Sequence, residues 1–365
     1  MLLREEFIAK VNEKSKNISQ LCRDYNISRP TAYKWLARYS LEGCLAFYDR
    51  SKKPLRMPSK INDESIDLIL KTRDQYPSWG AKKLRQILIN AGHKNLPSIS
   101  TFNRAMHRHN QITKENSEKR KHGLRFERAN PNELWQMDFK GYFSLSEGKC
   151  YPLTVLDDCS RYSICLKACC AESEIMVHEG LEEAFRRYGL PEAMTMDNGS
   201  PWKGGPGQRL SKLTIWLMKL GIRVGHSRPY HPQTQGKDER FHRSLKEEVL
   251  KYHNFKDLSD AQLHFNEWQH LYNHVRPHEA LNMLCPAQKY KPSLKKFPET
   301  LPEIKYESND EIRHVSRKGE AVFRGKNYYM GECLKGEPVA FRQRGENKWD
   351  IYYANSRLGG FDEKV

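Results

Sequence analysis

Three acidic residues, far apart along the chain, have the side chains and the settings that divalent metal binding requires. Asp138 interrupts LWQMDFKGYF, a run that otherwise predicts a buried strand, and a buried carboxylate is costly unless a cation offsets its charge. Asp197 follows the short predicted strand Glu192–Met196, at the end where open α/β sheets tend to bind ligands. Glu239 lies near the start of the helix predicted after HPQTQGKD. Together the three carboxylates predict a site for two divalent ions, which suits phosphodiester cleavage and joining.

Taken alone, each of these acids has a plainer interpretation. Asp197 opens an Asp-Asn-Gly sequence, which is strong turn chemistry by itself. Glu239 and Arg243 are four residues apart on a helix, so they also fit an ordinary surface ion pair. The apolar stripe of that helix comprises Phe241, Leu245, Val249 and Tyr252, and the opposite side carries Glu239, Arg243 and Lys246.

The elements that would position these residues follow the order of an α/β layer with helices on both faces. Strands are predicted at Leu134–Phe143, Tyr151–Leu156, Tyr162–Ala168, Glu192–Met196 and Ile222–His226. Helices are predicted at Glu174–Tyr188, Gln208–Leu220, Gly236–Tyr252 and Asp260–His274.

Two helical segments precede this layer. In the first, Ile18–Tyr25 and Arg29–Tyr39, with Ser28 as the N-cap, have a helix-turn-helix layout. Its second helix offers four residues to a major groove: Arg29, Tyr33, Lys34 and Arg38.

The second helical segment has predicted helices at Ser65–Gln75 and Ala81–Asn90, and a third from Ser98 or Ser100 to His109 that exposes Asn103 and Arg104. A small helical bundle with a solvated basic face is the alternative for either segment. Two such units in tandem on a basic chain favour recognition of an extended DNA site.

The chain is strongly basic. Its 365 residues carry 62 Lys and Arg against 45 Asp and Glu, so the formal net charge is +17. Such an excess predicts a polyanionic partner, either nucleic acid or an anionic membrane surface. No stretch reaches the roughly 18 apolar residues of a bilayer span, and the first residues carry charge too early for a secretory signal. Nine cysteines without a CxxC pair fit free thiols, so we expect a cytoplasmic protein with no membrane association.

We expect a multidomain chain with α-helical arms, an α/β core and a small C-terminal β domain. Helix-turn-helix domains are expected at 1–50 and 56–110, a basic linker at 111–130, the core at 131–295 and the β domain at 305–365. The linker either tracks DNA or is an idle spacer. Short β-prone runs separated by KGE, RGK and RGEN predict a small antiparallel barrel or sheet in the tail.

The motifs that carry the three acids resemble the DDE integrase core shared by retroviral integrases and many bacterial insertion-sequence transposases. The order MDF, MDNG, then SRPYHPQTQGKDERFHRSLKEE carries the resemblance, and Gly236 three residues before Glu239 makes the third segment the most specific. QLCRDYNISRPTAYKWLARY is similar to the N-terminal arm of single-reading-frame transposases, and YNHVRPHEALN with CPAQKY extends the resemblance toward the β-rich tail. Two features depart from the pattern: Asp238, usually a small or apolar residue, and SPWKGGPGQ, which lengthens the spacing between Asp197 and Glu239.

The resemblance implies an RNase H-like core with two Mg²⁺ ions, replaceable by Mn²⁺, bound by Asp138, Asp197 and Glu239. It implies DNA contacts from four further residues of the core: Gln233, Gln235, Arg243 and Lys246. In such transposases water cuts a strand at the element's end, and the resulting 3′-hydroxyl attacks target DNA without a covalent protein–DNA intermediate. The implied partners are double-stranded DNA, as terminal inverted repeats and as target, and at least one further copy of the chain.

Two other functions stay open: a repressor-like DNA-binding protein whose core no longer cuts, and an RNase H-type nuclease. The intact acidic triad favours an active transposase over a repressor-like protein. The tandem helical arms favour a transposase over a plain nuclease. The remaining polar candidates are not assigned to a metal site. His226, His231 and His242 lack zinc-site spacing and suit phosphate contact or plain packing. Asp157 and Asp158 fit a turn between strands, and Trp202 covers the core or stacks on a base.

Overall fold

Three helices surround a small apolar centre in the first part of the chain: α1 (Leu2–Asn12), α2 (Ile18–Asp24) and α3 (Arg29–Glu42). Ser28 caps α3 as predicted, because its side chain accepts a hydrogen bond from the Thr31 N–H group. The buried centre comprises Phe7, Ile8, Leu21, Cys22 and Ala32. Helix α1 is absent from the sequence prediction, because its charged residues obscure the apolar periodicity.

The computed structural model describes residues 2–14, 17–52, 61–112, 127–197, 199, 201–202, 210–226 and 236–363. By their internal contacts, residues 1–61 form one unit and residues 62–365 form another.

The second unit begins with three helices, α4 (Asp63–Gln75), α5 (Ala81–Asn90) and α6 (Ile99–Arg108). Of the two predicted caps for α6, Ser98 is the one that accepts the hydrogen bond, from the Thr101 N–H group. Arg73 on α4 is buried and donates hydrogen bonds to the carbonyl oxygens of Trp79 at 2.6 Å and Gln111 at 3.1 Å. This side chain therefore holds the ends of the three-helix segment together.

A mixed sheet forms the centre of the second unit. Its strands are β1 (Trp135–Phe139), β2 (Phe143–Leu145), β3 (Gly148–Asp157), β4 (Ser163–Cys169), β5 (Ala193–Met196) and β6 (Arg223–His226). The order is β2-β3-β1-β5-β6, and β4 also pairs with β3. Strand β3 is antiparallel to β1 and to β4, whereas β5 is parallel to β1 and to β6. Three antiparallel strands followed by two parallel ones confirm the predicted α/β, RNase H-like core.

Helices cover both faces of this sheet, and they are α7 (Glu174–Tyr188), α8 (Lys212–Lys219), α9 (Gly236–Leu245), α10 (Leu258–His270) and the short α11 (Pro286–Lys289). One apolar layer joins Trp135, Met137 and Val155 to α7 and α8. The other layer joins Leu156 and Leu166 to α9 and α10. Because both faces are covered, the polar side chains of the central strands have to find partners inside the protein.

Three predicted elements differ from the structure. The predicted strand Leu134–Phe143 ends at Phe139, and Phe143 begins the separate strand β2. Helix α9 changes to a π-helical turn over Lys246–Leu250, and α10 ends in a similar turn over Leu271–Val275.

The tail confirms the predicted antiparallel β structure. Its strands are β7 (Glu311–His314), β8 (Glu320–Phe323), β9 (Lys326–Tyr329), β10 (Pro338–Gly345), β11 (Lys348–Tyr353) and β12 (Ser356–Asp362). They form a four-stranded sheet in the order β12-β11-β10-β7 and a β8-β9 hairpin. Phe323, Phe341 and Trp349 are buried in this region, together with Ile215 and Met218 from α8.

Candidate active site

Asp138 lies near the end of β1, opposite Thr154 of β3 in the antiparallel register. Its side chain is 25% exposed. Burial, the negative charge of Asp197 and, to a smaller extent, the charge of Glu239 together raise the pKa of this carboxyl from 3.8 to about 7. Asp138 is therefore a strand carboxylate held among like charges, a setting that favours either a proton or a bound cation.

The parallel pairing of β1 and β5 brings Asp197 toward Asp138. Trp135 and Gln136 pair with Met194 and Thr195, and continuing this register by two residues places the two acids side by side. The Asp197 carboxylate accepts a hydrogen bond from the Gly199 N–H group at 2.8 Å. The turn interpretation of Asp197 is thus correct, and the same turn holds the carboxylate at the end of the strand.

Glu239 lies on α9 with an exposed side chain, next to the buried residues Phe241 and Leu245 of the same helix. Its charge contributes to the raised pKa of Asp138, so Asp138 lies within range of the charges of both other predicted acids. In the part of the chain that the structure describes, no three His, Cys, Asp or Glu side chains stand close enough together to hold a metal ion. The donor chemistry nevertheless suits a divalent cation, because oxygen ligands of like charge repel each other until one binds.

Asp238, the departure from the family pattern, is 2% exposed and faces the interior. Burial raises the pKa of this carboxyl well above 3.8, and the charges of Asp138 and Asp158 add to the effect. Its Oδ1 atom has no hydrogen-bond partner among the described residues. Asp238 is therefore a buried acid beside the candidate site, in surroundings that disfavour its charged form.

Sequence reasoning missed His242, which stands one helical turn after Glu239. Its Nε2 atom is 2.8 Å from the Thr154 hydroxyl, which donates a hydrogen bond to the Asp138 carbonyl at 2.9 Å. Its Nδ1 atom is 4.0 Å from Asp138 Oδ2. Burial lowers the pKa of His242 from 6.5 to about 3, so the ring is neutral and packs α9 onto β1 and β3. The sequence spacing of Thr154 and His242 gives no indication of this contact between them.

Basic side chains lie beside the acids. Arg243 and Lys246 are exposed on α9, as predicted for the face that carries Glu239. Lys140 follows β1 directly, and its pKa is lowered by burial and by the charge of Lys246, so these two cations are near each other. Lys140 was not among the predicted site residues. The predicted contacts Gln233 and Gln235 lie outside the described residues.

On the helical arms, Arg29, Tyr33 and Lys34 are exposed on α3. Arg38 instead pairs with Glu42 at 2.8 Å and donates to the Tyr48 carbonyl, also at 2.8 Å.

Asn103 and Arg104 are exposed on α6, and Arg104 donates a hydrogen bond to the Thr101 hydroxyl at 3.2 Å. Both helices thus present polar surfaces, although the guanidinium of Arg38 already has protein partners.

The other polar candidates have structural partners. Trp202 is buried and stacks on Phe139 with ring centroids 5.4 Å apart, which fits the core-covering interpretation. His226 Nδ1 is hydrogen-bonded to the Asp197 carbonyl at 3.0 Å, and His231 lies outside the described residues. Asp157 accepts hydrogen bonds from the Ser160 hydroxyl and N–H groups, as a turn residue does.

With this geometry established, comparison with known proteins identifies the class. The Integrase core domain family matches residues 128–232 and again residues 220–286. A Helix-turn-helix domain family matches residues 3–54, and a Homeodomain-like domain family matches residues 31–106. The middle of the chain therefore matches an integrase core domain, and the residues before it match helix-turn-helix sequences.

Two of the curated relatives that the chain matches are insertion-element proteins. One is an uncharacterized 31.7 kDa protein of insertion element IS407 from Burkholderia multivorans, 30% identical over 43% of this chain and 55% of that protein. Another is an uncharacterized 39.2 kDa protein of insertion element IS476 from Xanthomonas euvesicatoria, 28% identical over 43% of this chain and 44% of that protein. The chain spans about half the length of these relatives.

Among solved structures, the chain is similar to a simian T-cell lymphotropic virus intasome chain, with a TM-score of 0.40 and 16% identity, over 82% of this chain and 97% of that one. It is also similar to the HTLV-2 integrase catalytic core domain, with a TM-score of 0.34 and 17% identity, over 44% of this chain and 97% of that one. No helix among the described residues is long and apolar enough to cross a membrane.

Proposed function

We propose that this protein is an insertion-sequence transposase that binds the terminal inverted repeats of its element, cleaves a DNA strand and joins it to target DNA. The observation that carries the proposal is the setting of Asp138. It is a partly buried strand carboxylate within the integrase core match, and burial together with the charges of Asp197 and Glu239 raises its pKa to about 7. A fold that needed only to bind DNA would gain nothing from a cluster of repelling acids.

In this proposal Asp138, Asp197 and Glu239 hold two Mg²⁺ ions, or Mn²⁺ in their place. Bound ions of this kind supply activation of the attacking oxygen and charge stabilisation of the leaving oxygen in phosphodiester chemistry. The protein's own part is to keep Asp138 rigid on its strand and Glu239 on a helix that Phe241 and Leu245 anchor in the core. The exposed position of Glu239 leaves its charge available.

DNA would be held by cations around the acids and by the arms. Lys140, Arg243 and Lys246 lie beside the triad and suit phosphate contacts, and Gln233 and Gln235 are proposed for the adjoining segment. Residues of α3 and α6 are proposed to read the terminal repeats: Arg29, Tyr33, Lys34, Arg38, Asn103 and Arg104. Pairing of two element ends implies at least a dimer on DNA, in the cytoplasm and close to the nucleoid. The functional domains are proposed at 1–50, 56–110, 131–295 and 305–365, with 111–130 as linker.

The test is incubation of the purified protein with DNA carrying the flanking element end and Mg²⁺, with mapping of the cleaved phosphate. We expect Asp138→Asn, Asp197→Asn and Glu239→Gln each to reduce cleavage and joining at least about a thousandfold, while DNA binding in a mobility shift changes less than about twofold. Asp238→Asn is the matched control: the adjacent acid is buried and turned away from the proposed ligand position, so activity should persist.

Substantial joining by any triad variant would contradict the assignment of that residue. Loss of activity in Asp238→Asn together with full activity in Glu239→Gln would move the third ligand to Asp238. Specific binding without any cleavage by the unaltered chain would favour the repressor-like alternative.

A further inference from the structure

The strongest polar contact outside the triad is centred on Asp158, at the end of β3. Its side chain is fully buried, and it accepts hydrogen bonds from Gln136 Nε2 at 2.7 Å and from the Arg128 N–H group at 2.7 Å. Lys237 forms an ion pair with the same carboxylate and donates a further hydrogen bond to the Asp158 carbonyl at 3.2 Å. The Lys237 side chain is 13% exposed, so this ion pair is buried.

The two side-chain partners of Asp158 belong to the two elements that the candidate site has to hold in place. Gln136 is on β1, two residues before Asp138, and Lys237 is on α9, two residues before Glu239. Both donate to the same atom, Asp158 Oδ1. One carboxylate therefore links the strand that bears the first acid to the helix that bears the third.

We propose that Asp158 and Lys237 are positioning residues for the metal site: their ion pair sets the position of Glu239 relative to Asp138. The proposal rests on the proposed function, since it assumes that these two acids share metal ions. It assigns no contact with metal or DNA to either residue. The sequence placed Asp157 and Asp158 in a turn between strands, and Asp158 does lie in the turn that follows β3.

Stability alone gives little reason for this ion pair. Burying two charges costs several kcal/mol per ion, and replacing a buried pair by neutral groups is often neutral or stabilising. A buried pair does, however, impose a definite geometry on the elements it joins, because a charge displaced from its partner in the interior is left uncompensated. A positioning role and a purely stabilising role of this ion pair therefore predict different results when both charges are removed together.

The structure allows that double removal. Gln136 Oε1 has no hydrogen-bond partner among the described residues. If the Gln136 amide turns over, this oxygen can accept a hydrogen bond from the amide introduced by Asp158→Asn, while the new oxygen keeps the Arg128 N–H group. Lys237→Met preserves the length of the side chain without its charge. The pair Asp158→Asn with Lys237→Met thus leaves no buried charge unpaired at this point.

The experiment measures Mn²⁺ binding to the full chain by calorimetry in the absence of DNA, and stability by urea unfolding of the metal-free protein. We expect Lys237→Met alone to lower both stability and Mn²⁺ affinity. In the double variant stability should return to about that of the unaltered protein, while Mn²⁺ binding stays at least about tenfold weaker and the Mg²⁺ concentration needed for joining rises correspondingly. Lys237→Arg, which keeps the charge, should restore part of the Mn²⁺ affinity.

Recovery of Mn²⁺ affinity together with stability in the double variant would overturn the proposal, because the pair would then be merely structural. The control is the Arg342–Asp310 pair of the tail, with contacts of 2.8 Å, whose neutralisation should change stability without changing Mn²⁺ affinity. The variant Asp138→Asn separately tests the metal site on which the proposed function depends. If that variant still binds Mn²⁺ normally, the metal site itself is misassigned, a result distinct from failure of the positioning role.

Discussion

Replacing Asp138 with asparagine should make the metal-free protein more stable at pH 8, although the same change removes the proposed activity. Burial disfavours the charged form of this carboxyl, and the charges of Asp197 and Glu239 disfavour it further, so its pKa is about 7 in the folded protein. Asparagine has nearly the same shape and no charge. The variant therefore removes an electrostatic cost that the folded protein otherwise carries.

The sign and size follow from linkage. The folded pKa of about 7 lies above the unfolded value of 3.8, so the folded state holds a proton that the unfolded state releases as pH rises between these values. Stability from this group is fully present below about pH 4 and is lost as pH rises through 7. At about 1.4 kcal/mol per pH unit, the loss reaches about 4 kcal/mol at pH 8. Since the side chain is 25% exposed, solvent screening makes this figure an upper bound.

The assay is urea unfolding in EDTA, followed by circular dichroism near pH 4.5, pH 6 and pH 8. Asp138→Asn should gain up to about 4 kcal/mol at pH 8 and no more than about 1 kcal/mol near pH 4.5. Added Mg²⁺ should stabilise the unaltered protein and leave the variant unchanged, because a ligand stabilises only the state that binds it. Asp310→Asn is a control of opposite sign, since its hydrogen bond with Arg342 lowers the pKa of Asp310. A variant no more stable than the parent at pH 8, or a gain that does not shrink at low pH, would refute the reasoning.

Two further predictions concern the framework of the core. Arg276→Ala should lower the free energy of unfolding by roughly 3–5 kcal/mol in urea titrations, because it leaves the buried carboxylate of Glu248, 2.9 Å from the Arg276 guanidinium, without its ion-pair partner. The double variant Arg276→Met with Glu248→Gln should recover most of that loss. An equal loss of stability in the double variant would contradict the ion-pair explanation. Gly189→Ala should lower the free energy of unfolding by roughly 1–3 kcal/mol through backbone strain, since φ is +79° there. A further loss of stability is expected because a Cβ atom would lie 2.7 Å from the Lys295 carbonyl oxygen. An unchanged melting temperature would show that this turn adapts to the added atom.

Local sequence signals predicted most of the fold because they reflect local physics. Ser28 and Ser98 were identified as caps from residue type and position, and both side chains accept the expected backbone hydrogen bonds. Alternation identified the strand around Asp138. The prediction extended it too far, because a strand's end depends on where its neighbour stops pairing: Phe139 pairs with Leu153, whereas Phe143 pairs with Cys150 as part of β2.

The helix that bears Glu239 shows a different limit. The stripe predicted for it is buried at Phe241, Leu245 and Val249, but Tyr252 is 60% exposed. Five residues of the continuation, Lys246–Leu250, form a π-helical turn. A π turn has more residues per turn than an α-helix, so residues beyond it rotate off the predicted face. A prediction from apolar periodicity assumes a constant number of residues per turn, so it does not locate this change.

Contacts between distant elements were beyond sequence reasoning altogether. The Asp158–Lys237 pair joins residues 79 positions apart, and the hydrogen bond between Thr154 and His242 joins residues 88 positions apart. Each of these side chains has an ordinary local role in the sequence, as a turn acid, a strand threonine or a helix-surface cation. Their significance arises only when the sheet brings β1, β3 and α9 together.

That packing also bears on which acid of the Asp238-Glu239 pair is suited to hold metal. Successive helical residues point about 100° apart, so only one of the two can face a given ligand position. Asp238 is buried, and turning it toward solvent would rotate α9 and expose Phe241 and Leu245, at roughly 1.5–3 kcal/mol for each side chain. The same rotation would break the buried ion pair between Lys237 and Asp158. Glu239 is exposed and requires neither change, so the packing of the helix, independently of any motif, selects Glu239 as the third proposed ligand.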